Sequence, residues 1–195
     1  MGSDAAIATP EAAAWSYDES TDPMTGRVGR FARMDSVNTI DLESPYSGTQ
    51  HATLMIRNHP SNGQDVMLLI RRGQLLCPSY QDCQITVRFD DGEPQSWRAT
   101  GPADGSSTTM FLRRYDDFVR QLRAASVVRI RAEIYHAGSP VFEFAVAGYD
   151  DSRVNPAGSR SRRGSSASVP DHIVKPPCAA GYTRRGDSVN CTLDE

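Results

Sequence analysis

Lysine is almost missing from this chain: of 21 basic residues 20 are arginine, and Lys175 is the single exception. Arg and Lys differ in reach and hydrogen-bond geometry, but a bias this uniform reads as genome base composition rather than site chemistry. Long apolar runs are missing too. No stretch approaches the roughly 18 apolar residues of a membrane-spanning helix, so no transmembrane segment is expected. No charged start followed by an apolar block marks an export leader, and Ala6 stands where a myristoylation signal has Ser or Thr. Met1-Gly2-Ser3 reads as an introduced start. A native leader, with any lipid anchor it carried, is then expected to be gone from this chain. Strong charge is absent as well: the net is −3, which gives no reason to expect nucleic acid or an anionic membrane as partner. The C-terminal 45 residues hold seven basic groups against five acidic ones, and the rest of the chain fourteen against nineteen. The tail is too weakly basic for a nucleic-acid arm.

Catalytic signatures are lacking in the same way. There is no G-x-S-x-G elbow and no phosphate-loop lysine. His51, His59, His136 and His172 stand at no motif spacing from Ser, Cys, Asp or Glu. No cofactor is expected.

Cysteines are few, four in all, and fall in two local pairs, Cys77/Cys83 and Cys178/Cys191. Neither pair has the C-x2–4-C spacing of a zinc knuckle or the C-x-x-C of a thioredoxin-like site. Two short-range disulfides are the leading expectation, ahead of free thiols and of metal. Disulfides persist in oxidising compartments. With the arginine bias, they point to a periplasmic or outer-envelope protein of a bacterium.

What is present is 38% hydrophobic and 23% charged residues, near the soluble globular average and enough for one core. Residues 1–13 are small and polar and read as a disordered leader. From 14 to 149 short apolar runs alternate with turn signals. Asn62-Gly63 between "HATLMIRN" and "DVMLLIRRG" is a hairpin signal. "QITVRFD" places Ile85, Val87 and Phe89 on one face. "SVVRIRAEIYH" places Val128, Ile130, Ala132 and Ile134 together, and "SPVFEFAVAG" groups Phe142, Phe144 and Val146. One helix is expected over 111–126, with an apolar stripe of Leu112, Tyr115, Phe118, Val119, Leu122 and Ala125. Short alternating strands with one amphipathic helix before the last hairpin predict a mainly β fold, an antiparallel β-sandwich or barrel-like domain. Strict alternation disfavours a parallel sheet, whose strands are apolar on both faces. Residues 150–171, rich in Ser, Arg and Gly, read as a flexible linker, and 172–195 as a small disulfide-looped tail.

Candidate sites are each matched by a plainer reading. "FDDGE" at 89–93 offers three carboxylates but is ordinary turn chemistry. "GPADGSS" at 101–107 resembles an anion-binding nest and equally a structural turn. Arg185-Gly186-Asp187 matches an adhesion tripeptide and Asn190-Cys191-Thr192 a glycosylation acceptor, both short enough to arise by chance. Trp97 and Arg98, with the arginines Arg113, Arg114, Arg120 and Arg123, offer a recognition surface; the plainer reading is a core Trp beside a solvated helix face.

Through "DPMTG", "SPYSG", "HATLMIR", "GQLLC", "ITVRFDDG", "WRATGPADGSS" and "VFEFAVAG", in that order, residues 15–149 resemble a loose group of bacterial envelope proteins. These are periplasmic proteins and lipoproteins, some prophage-encoded. More distantly the stretch resembles the type VI secretion accessory proteins TagO and VasI. The resemblance implies a small β-rich domain in an accessory or binding role, with a protein or cell-wall partner, and it supplies no catalytic residues. The expectation is a non-enzymatic envelope module. A hydrolase whose site assembles only in the fold stands behind it, as does an inhibitor or immunity protein presenting 89–107 as a protruding loop.

Overall fold

The structure, a computed structural model, describes residues 14–156 and the backbone of Tyr182–Thr183 and Thr192–Leu193. In chain order the elements are β1 (Ser16–Thr21), β2 (Val28–Asp35), β3 (Ile40–Leu42), β4 (Gly48–Gln50), β5 (Ala52–His59), β6 (Gly63–Ile70), β7 (Cys83–Phe89), β8 (Gln95–Thr100) and β9 (Thr109–Leu112). Then come α1 (Tyr115–Leu122), β10 (Val128–Arg131), β11 (Val141–Phe144), α2 (Asp151–Val154), β12 (Tyr182–Thr183) and β13 (Thr192–Leu193). The chain divides into two units, Met1–Ser159 and Arg160–Glu195. In the second, β12 pairs antiparallel with β13. Cys178 and Cys191 lie outside the described residues, as do the leader 1–13, His172 and the Arg-Gly-Asp triplet.

In the first unit one antiparallel sheet of nine strands runs β1-β2-β5-β6-β9-β8-β7-β10-β11. It curls into a half-barrel, the barrel-like form of the expected fold rather than two packed sheets. The Asn62-Gly63 hairpin forms as expected: β5 and β6 pair from Ala52↔Ile70 to His59↔Gly63. Gly63 supplies the positive φ (+82°) that a side chain would resist.

Alternation decides what the half-barrel encloses. Leu54, Ile56, Val66, Leu68, Ile85, Val87, Ile130, Phe142 and Phe144 are all buried, each two residues from the next on its strand, as a pleated strand requires. The outward positions between them are polar or half-exposed, except Met67, which is buried on the outer side of β6. The sheet's two ends are tied across one another. Beyond β2, the Val37 amide donates to the Glu143 carbonyl at 2.8 Å. The Asn38 side chain donates to the Val141 carbonyl and accepts from the Glu143 amide, both at 2.8 Å. Trp15 Nε1 donates to the Val146 carbonyl at 3.0 Å. These bonds occupy β11, which would otherwise be an open edge able to pair with another chain.

The helix is shorter than the apolar spacing suggests. Phe111 and Leu112 belong to β9, where Phe111 faces both Met67 of β6 and Thr100 of β8. Leu112 and Tyr115 are three residues apart, so a helical stripe absorbs both on paper; pairing on two sides wins. Arg114, in the left-handed region (φ 60°, ψ 55°), turns the chain from strand into helix. Phe118, Val119 and Leu122 of α1 are buried. Phe118 meets Phe89 and Trp97 edge-on at 5.3 and 5.6 Å.

The ordered unit runs past 149, correcting the linker start at 150. Asp150 caps α2 by accepting from the Ser152 amide, and Val154 is fully buried. Asn155 donates to the Tyr115 hydroxyl at 2.9 Å and accepts from Asn58 and Gln64 at 3.0 and 2.7 Å. A four-residue helix with one apolar side chain leaves no periodic signal. Nor does 89–107 protrude as one loop: its middle, Gln95–Thr100, is β8, held between β7 and β9.

Candidate functional site

Cys77 and Cys83 form a disulfide, with Cα atoms 5.2 Å apart. The staple joins the segment that bridges to Ile134 through Leu75 to the first residue of β7. It closes a loop of Pro78, Ser79, Tyr80, Gln81 and Asp82. Gly101 lies against this loop and its amide donates to the Pro78 carbonyl at 3.3 Å. A Cβ at 101 would collide with the Cys77 carbonyl oxygen, so only glycine permits the approach. "GPADGSS" is thereby explained as a structural turn: Asp104 accepts from the Ser106 amide at 2.9 Å and Gly105 takes φ +76°.

The six residues expected to share a recognition surface do not gather in one place. Trp97 and Arg98 are neighbours on β8 and must point to opposite faces. Trp97 points inward and is 1% exposed. It is a core residue rather than a surface anchor, and its Nε1 has no hydrogen-bond partner among the described residues. Arg114 lies over its ring at 4.1 Å, a cation–π contact, and approaches Asp117 at 3.6 Å. Arg120 pairs with the same Asp117 at 2.6 Å, and Arg123 with Asp151.

Arg98 and Arg113 do come together, on the outer face. They sit opposite one another, the Arg113 amide donating to the Arg98 carbonyl at 2.9 Å. Asp82 of the stapled loop reaches both. Its Oδ1 accepts from Arg113 Nε at 3.1 Å and Nη2 at 3.0 Å, and its Oδ2 lies 4.0 Å from Arg98 Nη1. The side chain of Arg98 is 79% exposed and that of Arg113 53%. On the stapled loop Tyr80 is 86% exposed, and Leu76, which precedes Cys77, is 40% exposed. Arg131, exposed on β10, has no ion pair among the described residues. Asp82, Tyr80, Leu76 and Arg131 are absent from the sequence reading. Asp82 and Arg113 are 31 positions apart, and no spacing rule links them.

The remaining candidates hold structural positions. His51 Nδ1 lies 2.6 Å from the Ser36 carbonyl. His59 Nδ1 accepts from the amides of Ser61 and Asn62 inside the hairpin turn. His136, at φ 58°, has its ring tilted against that of Tyr135, centroids 4.0 Å apart. In "FDDGE", Asp90 accepts from the amides of Ser126 and Val127 at 2.8 Å each, fixing the entry to β10. No group of three metal-ligating side chains occurs among the described residues, and no helix among them is long and apolar enough to cross a membrane.

Three phenols gather where α2 meets the sheet. Burial pushes the Tyr115 hydroxyl up to about 12, against which its bond from Asn155 acts. Burial likewise raises Tyr149, which donates to Asp151 Oδ1 at 3.2 Å. Tyr17 accepts from the Asp150 amide at 2.7 Å. The Tyr17 and Tyr115 hydroxyls fasten the end of the domain to β1 and α1, and the Asn58 side chain fastens it to β5.

No protein-family model matches the chain, and no curated protein matches it. Among solved structures it is similar to the crystal structure of invasion associated protein B from Bartonella henselae, with a TM-score of 0.44 and 13% sequence identity over 74% of this chain and 91% of that one.

Proposed function

We propose that the chain is a non-enzymatic binding or accessory module of the bacterial envelope. In this reading it engages a protein complex or a cell-wall component through the outer sheet face beside the Cys77–Cys83 loop. The observation that carries the reading is the cluster of Arg98, Arg113 and Tyr80 on that loop and the strands next to it. Arg and Tyr are the side chains most favoured as binding anchors. Here they stand largely in solvent on a disulfide-fixed frame, so little ordering is needed before a partner is met. The disulfide supports export to an oxidising compartment, and the resemblance of residues 15–149 to periplasmic proteins, lipoproteins and TagO/VasI supports an accessory role.

The test is a pull-down from bacterial envelope extract, using the whole chain and a chain ending at 156. Capture by both assigns the partner to the sheet domain, and capture by the whole chain alone moves the docking role to the tail. Retention of nothing above a denatured control contradicts the binding reading.

A further inference from the structure

Asp82 is a carboxylate already seated in an arginine fork. Its Oδ1 takes two donors of Arg113, and Arg98 stands 4.0 Å from its other oxygen. One carboxylate is shared between two guanidiniums, so the pair keeps positive charge and unused donors. Arg131 stands on the same outer face but two strands away, since it pairs with Thr86 while Arg98 pairs with Gln84, and the exposed Glu133 follows it two residues on. Guanidinium forks suit planar carboxylates, and the exposed Tyr80 and Leu76 offer apolar contact that flanking peptide side chains would use.

We propose that this surface docks an acidic protein segment, a Glu- or Asp-bearing carboxylate adding to or displacing Asp82 on Arg98 and Arg113. The proposal rests on the binding-module reading and names the partner's chemistry. A phosphate polymer is disfavoured by the chain's net charge of −3, which repels a long polyanion at a distance, and by the apolar contacts beside the fork. A short acidic segment meets the local positive charge only.

The test is fluorescence anisotropy with labelled oligoglutamate, and with oligolysine and inorganic polyphosphate as the other probes. Oligoglutamate should bind, more weakly as salt rises. Arg98→Ala and Arg113→Ala should each weaken it roughly threefold, and the pair roughly tenfold. Asp82→Asn, which removes the internal competitor, should tighten it severalfold; this gain is one that simple damage to the fold does not produce. Thermal melts of each variant confirm folding. Unchanged affinity in the arginine variants, no gain in Asp82→Asn, or tighter binding of polyphosphate than of oligoglutamate would overturn the proposal. Pull-down with the Arg98→Ala/Arg113→Ala chain separates the two levels. A partner still captured sinks this surface and leaves the binding module standing, whereas no capture even by the wild-type chain sinks both.

Discussion

The outer face of the sheet has two halves that use the same residue in opposite ways. On β2, β5, β6 and β9 the register lines up Arg33, Met55, Met67, Phe111 and, on β8, Thr100. Two aromatic rings of this half, Phe31 and Phe111, are covered by the molecule's own arginines. Arg57 lies over Phe111 at 5.7 Å while its Nε donates to Asp65 at 2.9 Å, and Arg33 lies over Phe31 at 5.6 Å while pairing with Asp18. Long arginine stems cover apolar surface in this manner while their heads stay wet. On β7, β8 and β10 there is little apolar surface to cover, and Arg98 and Arg131, with Arg113 just past the end of β9, extend into solvent. The difference teaches that an arginine-rich sequence is not by itself a binding signal. What matters is whether each guanidinium already has an aromatic ring and a carboxylate of its own.

The comparison can be attacked in order of expected effect. Trp97→Ala should destabilise the domain by about 3–5 kcal/mol, because it empties the space between Phe89, Phe118 and Arg114. Its neighbour Arg98→Ala should fall within about 0.5 kcal/mol of wild type. Denaturant titration of the two variants reads the inside and outside of one strand. Reduction of Cys77–Cys83 should lower stability by about 2 kcal/mol on the chain-entropy account and release Asp82 from Arg113. Equal melting curves with and without reductant would refute this. Arg57→Ala should cost about 1 kcal/mol through lost cover and an unpaired Asp65, more than Arg113→Ala on the free half. Equal losses would erase the distinction.

The smallest effect at neutral pH is that of Tyr115. Its folded pKa, about 12, lies above the ordinary 10.0, so the folded state holds the proton that the unfolded chain releases first. The stabilisation is complete below pH 10 and is lost as pH rises from there towards 12. Tyr115→Phe should flatten that alkaline limb in pH-dependent melts, although Tyr149 continues to contribute in the same direction.

Much of the fold was legible because pleating forces alternation: the inward sets at 85–89, 128–134 and 142–146 are those the pattern marks. Alternation does not state how far a sheet curls; the choice between sandwich and barrel rests on the register and on the ties at Val37, Asn38 and Trp15. The strand-to-helix boundary at Arg114 was hidden because a left-handed residue carries no mark when it is not glycine. For the candidate site, sequence proximity misled in one respect and helped in another. It joined Trp97 to Arg98, which the pleat separates; Arg113, grouped with them as a helix arginine, is instead brought to Arg98 by strand pairing beyond β9. Asp82, which links them, depends on a disulfide turn, and its geometry is tertiary.

The most direct test of the two-halves account is an NMR titration of the arginine Nε–Hε signals with oligoglutamate. The account predicts that the Arg98 and Arg113 signals move while those of Arg33 and Arg57 stay in place. Equal movement of Arg57, or no movement of Arg98 and Arg113 at saturating peptide, would contradict it.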